Sequence, residues 1–126
     1  IEQLQQKRTI MVDAEDLAFQ RMEMIQTENP GAMTKHDIEE NEDTEWAVVT
    51  IEDESGGNLS IEVIESDTSW KRSDLIDRYN ELAEDVEIAV ILPDEAFDEV
   101  ASRLAKEGSP NIELLSYSDL GLIPRG

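Results

Sequence analysis

Cysteine is absent from this chain, and histidine occurs only once, at position 36. Without cysteine the chain has no disulfides and no thiolate metal ligands, which agrees with a reducing, cytoplasmic location. A single histidine with no cysteine argues against a zinc site and excludes any scheme that needs two histidines. Carboxylates are therefore the main candidates for ligands and catalytic groups.

Basic residues are scarce, because ten Lys and Arg stand against 31 Asp and Glu, for a net charge of −21. Such a chain repels nucleic acid unless its few bases cluster. Three interpretations of the acidity stay open. The acids form a solvated surface that keeps the protein soluble, they imitate a phosphate backbone and occupy a nucleic-acid-binding protein, or some of them converge on a divalent cation.

Long hydrophobic runs are also missing. The longest apolar run, Ile88–Leu92, is far too short to cross a membrane, and Ile1–Gln6 does not resemble a signal peptide. Apolar residues make up 39% of the 126 residues, which is enough for one core. We therefore expect a single domain over residues 1–126 that does not contact a membrane.

The amino-terminal third is predicted to be a helix followed by a loop. Apolar residues recur at helical spacing over residues 3–26, and Asn29-Pro30 ends that helix. The helix is about 36 Å long at 1.5 Å per residue, so one small sheet covers all of it or leaves a stripe for a second copy of the chain. The polar residues 32–45 are predicted to be a loop, with at most a short strand near residues 34–38.

A hairpin follows. Residues 46–51 and 59–65 are rich in β-branched side chains, and the turn Asp53–Asn58 between them contains two glycines. The remaining chain alternates helix and strand, with a helix over 70–84, a strand over 86–92, a helix from Pro93 to Gly108, a strand over 112–117 and an irregular tail.

The order α-β-β-α-β-α-β predicts an α/β fold, close to α+β, with a mixed central sheet flanked by helices. Strands joined by helical crossovers run parallel, so the two later strands are expected to lie parallel to the second hairpin strand.

One acid lies within the second hairpin strand. Glu62 is flanked by Ile61, Val63 and Ile64, so it is either desolvated for a purpose or exposed on an open sheet face. Asp43, or less favourably Asp37, precedes the hairpin. If the hairpin brings one of them near Glu62, the two carboxylates form a site for Mg²⁺.

The element order and these residues resemble the PD-(D/E)XK (restriction-endonuclease-like) superfamily. The segment Ile61-Glu62-Val63-Ile64 stands where that superfamily has an acid-x-Lys motif, and Asp43 stands where it has an Asp. The resemblance implies Asp43 and Glu62 as metal ligands and catalytic residues. Ile64 occupies the lysine position and cannot polarise a water, so Lys71, in the next helix, is the candidate for a displaced lysine.

The missing lysine favours a degenerate, non-catalytic nuclease-fold domain without a cofactor that acts through a protein partner or a second copy of itself. Two alternatives remain, a Mg²⁺-dependent nuclease that uses Asp43, Glu62 and Lys71, and an acidic nucleic-acid mimic or inhibitor. Nucleic acid itself is not expected as a partner, because of the net charge.

Overall fold

A computed structural model describes residues 12–125, which form a five-stranded mixed sheet with helices on both faces. The elements in chain order are α1 (Ala14–Glu28), β1 (Met33–Glu40), β2 (Glu45–Glu52), β3 (Leu59–Ile64), α2 (Leu75–Ala83), β4 (Glu87–Leu92), α3 (Phe97–Glu107), β5 (Ile112–Ser116) and α4 (Tyr117–Leu120). Single 3₁₀ turns precede α2 and α3, at Ser69–Lys71 and Asp94–Ala96.

The strands lie in the sheet in the order in which they occur in the sequence. β1, β2 and β3 pair antiparallel, and β3, β4 and β5 pair parallel. The predicted α/β fold, the hairpin and the parallel direction of the later strands are therefore confirmed. None of the helices between residues 12 and 125 is long and apolar enough to cross a membrane.

Each face of the sheet has its own hydrophobic core. On one face α1 covers β1 to β3 and α4 packs beside β5, with a buried set of Ala14, Leu17, Ala18, Ala47, Val49, Ile64, Ile91, Tyr117 and Leu122. On the other face α2 packs on β4 and α3 on β5. The buried residues there include Trp46, Val63, Leu75, Tyr79, Val90, Leu92 and Val100. Alternation of side chains along each strand divides the apolar residues between the two cores.

The residues predicted to be a loop contain the strand β1, which is a correction to the sequence-based order. Thr34, His36 and Ile38 face α1 and are half-buried, whereas Met33, Lys35 and Asp37 are exposed. Only one face of this edge strand is covered, so its composition is polar. The local alternation of apolar residues is therefore too weak to predict the full length of this strand.

The helix boundaries also differ from the prediction. Residues 3–11 of the predicted first helix lie outside the described residues, and α1 begins at Ala14 because Asp13 caps the amides of Glu15 and Asp16. The helix predicted over 70–84 starts at Leu75, because Arg72 has an extended ψ of 141°. The tail predicted to be irregular contains α4, which a reciprocal Ser116–Asp119 capping box initiates.

Candidate functional site

Glu62 is buried, which is one of the two environments that the sequence left open, and its carboxylate is bound by an arginine. Arg21 of α1 donates two hydrogen bonds, from Nε to Oε1 at 2.6 Å and from Nη2 to Oε2 at 2.9 Å. The side chains of Arg21 and Glu62 are 13% and 10% exposed. Hydrogen bonding to the Glu62 carboxylate raises the pKa of Arg21 above its ordinary value. Both carboxylate oxygens thus have a cationic partner within the protein.

Asp43 lies in the turn between β1 and β2, away from Glu62. Val49 is the residue of β2 that pairs with Glu62, and Asp43 precedes it by six positions. At about 3.3 Å per residue, this separation is roughly 15–20 Å. Asp43 is exposed, and its amide donates to Asn41 Oδ1. The structure therefore does not bring the two proposed metal ligands together.

Lys71 lies at the end of the 3₁₀ turn before α2. Its ammonium lies over the ring of Trp70, 5.3 Å from the centroid, and the side chain is exposed. Trp70 packs in the core of α2 and α3, whereas Glu62 faces α1 on the other side of the sheet. Lys71 is therefore not directed towards Glu62, and the three residues predicted as catalytic lie in three separate places.

A groove of about 720 Å³ opens beside Glu62, at the amino ends of β4 and β5. Its lining includes the acids Glu62, Glu84, Asp85, Glu87 and Glu113. Within residues 12–125, no three Asp, Glu or His side chains lie close enough together to hold a metal ion. The groove is thus an acidic recess rather than a preformed metal site.

A second buried glutamate, Glu65, was not predicted as a site residue. It lies just after β3, is 0% exposed, and accepts hydrogen bonds from three side chains. Ser69 Oγ donates at 2.6 Å, Arg72 Nη1 at 2.7 Å and Tyr79 OH at 2.7 Å. Ser69 and Arg72 belong to the connection between β3 and α2, and Tyr79 belongs to α2, so the cluster fixes that connection and the helix to the end of the sheet.

Arg72 completes this cluster by stacking on an aromatic ring. Its guanidinium carbon lies 3.6 Å from the ring centroid of Trp46, at the start of β2. Arg72 Nε is buried without a hydrogen bond, and Asp74 Oδ1 lies 3.7 Å from it. The contact joins a carboxylate, a guanidinium and an indole in one buried stack, which binds β2, β3 and α2 together.

Two tyrosines beside Glu65 are held in their neutral form. Burial and the nearby Glu65 carboxylate raise the pKa of Tyr79 well above its ordinary value. Burial also raises the pKa of Tyr117, whose hydroxyl donates to the backbone carbonyl of Glu65. With raised pKa values both hydroxyls stay protonated and can donate the hydrogen bonds that hold the cluster. A tyrosine that acts as a general base would need a lowered pKa.

The signal for this cluster was present in the sequence. Glu65 continues the alternation of the core-facing residues Ile61 and Val63, so it points to the same core. A carboxylate placed there requires a buried cation, and Arg72 is seven residues away. For Glu62 the sequence held no such signal, because nothing local indicates that Arg21 reaches it from 41 residues away.

One face of the antiparallel half of the sheet is only partly covered by the described helices, because Val48 and Ile61 pack against the core of α2 and α3. We call the uncovered part the open face, and it consists of Met33, Lys35, Asp37, Thr50, Glu52 and Leu59. The strand register aligns Met33, Glu52 and Leu59 in one row and Lys35, Thr50 and Ile61 in the next. Met33 is 61% exposed and Leu59 is 44% exposed. The open face therefore presents large apolar side chains to solvent.

Comparisons with family models, with curated proteins and with solved structures gave no match. The resemblance to the PD-(D/E)XK superfamily therefore stays a prediction. A function for this chain is therefore inferred from the positions, contacts and exposure of the side chains of residues 12–125.

Proposed function

We propose that this chain is a non-catalytic α/β domain that acts by binding another protein through its open face. The observation that carries the proposal is the exposure of Met33 and Leu59 on one row of the sheet, with Glu52 between them. Burying such side chains contributes about 25 cal/mol per Å² of apolar surface, so a partner that covers them gains affinity. Patches of this kind mark interaction sites in soluble proteins.

The geometry around Glu62 supports binding over catalysis. Arg21 occupies both carboxylate oxygens of Glu62, Asp43 lies at the far end of the hairpin, and Ile64 stands in the motif-lysine position. A Mg²⁺-dependent reaction requires ligands that converge on one ion and a group that activates water. The proposal therefore assigns Glu62 to the packing of α1 on the sheet.

The acidic surface favours a protein over a nucleic acid as the partner. Exposed acids lie on α1, α2 and α3 and in both hairpin turns, so they are spread over the molecule. Phosphates would be repelled by a chain of net charge −21. This distribution supports solubility and partner selection rather than imitation of one phosphate backbone. A cytoplasmic location is part of the proposal, because the chain has no cysteine.

Site-specific photo-crosslinking tests the proposal. A photoreactive amino acid replaces Leu59 in one variant, and Ile123, which is 58% exposed on the carboxyl-terminal tail, in a matched control. In extracts of cells that express the full chain, we expect protein adducts at position 59 that are absent at position 123. Adducts of equal yield at the two positions, or none at either, would contradict binding through the open face.

A further inference from the structure

We infer that the partner protein adds an extended strand to the outer edge of β1, and that this strand carries a base opposite Asp37 and an acid opposite Lys35. The inference rests on the proposed function, because it names the segment by which the protein on the open face is held. β1 is an edge strand of 8 residues, and it pairs with β2 over its full length without a bulge. Its outer side is therefore long and regular enough to receive another strand.

The backbone groups of β1 alternate between the two sides of the strand. In an antiparallel ladder, pairs that exchange hydrogen bonds alternate with pairs that do not. The amide of Asn41 donates to the carbonyl of Thr44 at 3.0 Å, so this pair is of the first kind. Counting back along the register, the residues of β1 that bond to β2 are Met33, Lys35, Asp37 and Glu39. The residues between them point their N–H and C=O groups away from the sheet, and they are Thr34, His36, Ile38 and Glu40.

These outward backbone groups have no hydrogen-bond partner within residues 12–125. No other strand or turn in this part of the chain bonds to them, and the amide of Gln26 reaches only the carbonyl of Ala32, one residue before β1. A strand that adds to this edge exchanges hydration water for ladder hydrogen bonds. α1 leaves the approach open, because it lies mainly over β2.

The described β1 lacks most of the devices that close the edge of a sheet. Natural edge strands are very short, contain proline or a bulge, are covered, or carry charged side chains. β1 contains neither proline nor a bulge, and it carries charges. Charged side chains discourage the addition of an apolar strand, so they select a strand with complementary charges.

On the side of the open face, the charges of β1 set the sequence of the added strand. Glu39 is paired with Arg78 of α2 at 3.6 Å, whereas Lys35 and Asp37 are exposed and have no ion pair within residues 12–125. Because Lys35 and Asp37 bond to β2, they occupy non-hydrogen-bonded positions on the outer side, where facing Cα atoms are about 4.5 Å apart. An acid opposite Lys35 and a base opposite Asp37 then form cross-strand ion pairs.

On the side of α1, an aromatic ring is available to the added strand. Phe19 is 49% exposed, and its ring meets the ring of His36 edge-on, with 4.9 Å between the centroids. A strand about 4.8 Å beyond β1 places every second side chain on the side of Phe19. Those side chains are expected to be apolar, so the partner segment alternates apolar and charged residues.

A synthetic peptide of this chemistry tests the inference. The probe Thr-Val-Lys-Val-Glu-Val-Thr, in antiparallel register, sets its lysine against Asp37 and its glutamate against Lys35. The control peptide carries N-methyl groups on the valines, which removes the donors directed at β1 and keeps the charges. We expect the full chain to bind the probe with a Kd of about 1 mM or tighter and the control at least about tenfold more weakly. Equal binding of the two peptides would overturn strand addition.

Amide hydrogen exchange, measured by NMR, locates the bound peptide. The amides of Thr34, His36 and Ile38 are expected to exchange fast in the free chain and at least about tenfold more slowly with the probe. The amides of Lys35 and Asp37 bond to β2, so they are internal controls and are expected to be protected in both states. Binding without this alternation would overturn the assignment to the edge of β1.

Exchange of the two charges tests the chemistry of the partner strand. Lys35→Glu/Asp37→Lys keeps the net charge, and it is expected to weaken the probe at least about tenfold. The same variant is expected to prefer the peptide Thr-Val-Glu-Val-Lys-Val-Thr, which shows that the edge itself is intact. An unchanged preference in the folded variant would overturn the ion pairing.

The outcomes distinguish this inference from the proposed function. If the chain does not bind the probe while position 59 still gives specific adducts, strand addition is wrong and the open face remains the binding surface. If the probe binds at β1 and position 59 gives no specific adduct, the edge is the binding surface and the proposed function is wrong. Protection of the outward amides that rises with protein concentration, without peptide, would assign the edge to a second copy and overturn a separate partner.

Discussion

Two glutamate–arginine pairs lie on opposite faces of the sheet at β3, and their surroundings differ. Glu62 and Arg21 join β3 to α1 and keep about a tenth of their surface in solvent. Glu65 and Arg72 are almost fully enclosed, and Ser69, Tyr79 and Trp46 complete their shell. The Glu62–Arg21 pair thus joins α1 to β3, whereas the Glu65–Arg72 pair is the centre of a buried polar cluster.

The comparison shows why a buried acid is weak evidence for catalysis. A carboxylate in a core must be paired with a cation or bound to hydrogen-bond donors, whether or not it has a chemical role. Both glutamates meet this requirement through arginine, and the more buried one has more donors. The burial of a carboxylate therefore predicts how many hydrogen-bond donors it has. Whether it can bind a metal or transfer a proton depends on the oxygen lone pairs that these donors leave unoccupied.

Among substitutions in the two pairs, the largest loss in the free energy of unfolding is expected at Arg72. Arg72→Met leaves the Glu65 carboxylate in the core without its cation, and we expect a loss of about 3–5 kcal/mol in the free energy of unfolding. Urea denaturation followed by circular dichroism measures it. The double variant Glu65→Met/Arg72→Met removes both charges and is expected to recover much of the loss. A loss below about 1 kcal/mol in the single variant would contradict the assigned role.

A smaller effect is expected at Glu62. Glu62→Gln keeps the shape but removes the charge that binds Arg21, and we expect a loss of about 2 kcal/mol, typical of hydrogen bonds to charged groups. Glu113→Gln, at an exposed acid in the groove beside Glu62, is the matched control and is expected to change little. Calorimetric titration with Mg²⁺ should give the same result for wild type and Glu62→Gln. Loss of a Mg²⁺ site in the variant would instead revive the nuclease hypothesis.

The hydroxyl of Tyr79 distinguishes the Glu65 pair from the Glu62 pair, because its contribution to stability depends on pH. Tyr79→Phe removes one donor to Glu65 and is expected to cost about 1.5 kcal/mol at neutral pH. Because the pKa of Tyr79 is raised in the folded protein, the folded state holds its proton above pH 10 while the unfolded state loses it.

Stability is therefore expected to be unaffected by this group below about pH 10 and to fall above it, by up to about 1.4 kcal/mol per pH unit for each such tyrosine. Urea denaturation between pH 8 and pH 11 tests this expectation. The decline should be shallower in Tyr79→Phe, where only Tyr117 contributes in this region of the structure. Equal slopes in the two proteins would show that Tyr79 is not the group responsible.

The smallest effect is expected at Lys71, which neighbours Arg72 in sequence but is exposed. Lys71→Ala removes the contact with the Trp70 ring, and such exposed contacts contribute about 0.5 kcal/mol. Thermal unfolding of Lys71→Ala beside Arg72→Met compares two adjacent bases in opposite environments. A large loss at Lys71 would place it in the polar core, which its exposure contradicts.

Much of the fold was predictable because its signals are local. The glycines at 56 and 57 mark the hairpin, and Gly56 has a φ of 74°, which favours glycine. The run Ile88–Leu92 indicates a strand covered on both faces, as β4 is. For β1 the sequence predicted at most a short strand, because the polar side chains on its open side leave little alternation of apolar residues.

The candidate site was less predictable because it is formed by residues that are far apart in the sequence. The apolar neighbours of Glu62 left both burial and exposure open, and the partner that neutralises it comes from another element. The proposed approach of Asp43 to Glu62 assumed a register, and the actual register places Glu62 opposite Val49, six residues after Asp43. Sequence alone does not define a long-range pairing of this kind when one strand is unrecognised.

The order of the strands in the sheet follows the order of their synthesis. Every strand pairs with the strand that precedes it in the chain, so no pairing has to wait for a segment made much later. The antiparallel strands pair at low sequence separation, which favours fast folding, whereas the parallel pairs lie 24 to 27 residues apart. The sheet can thus grow one strand at a time in chain order, with β5 forming the final edge.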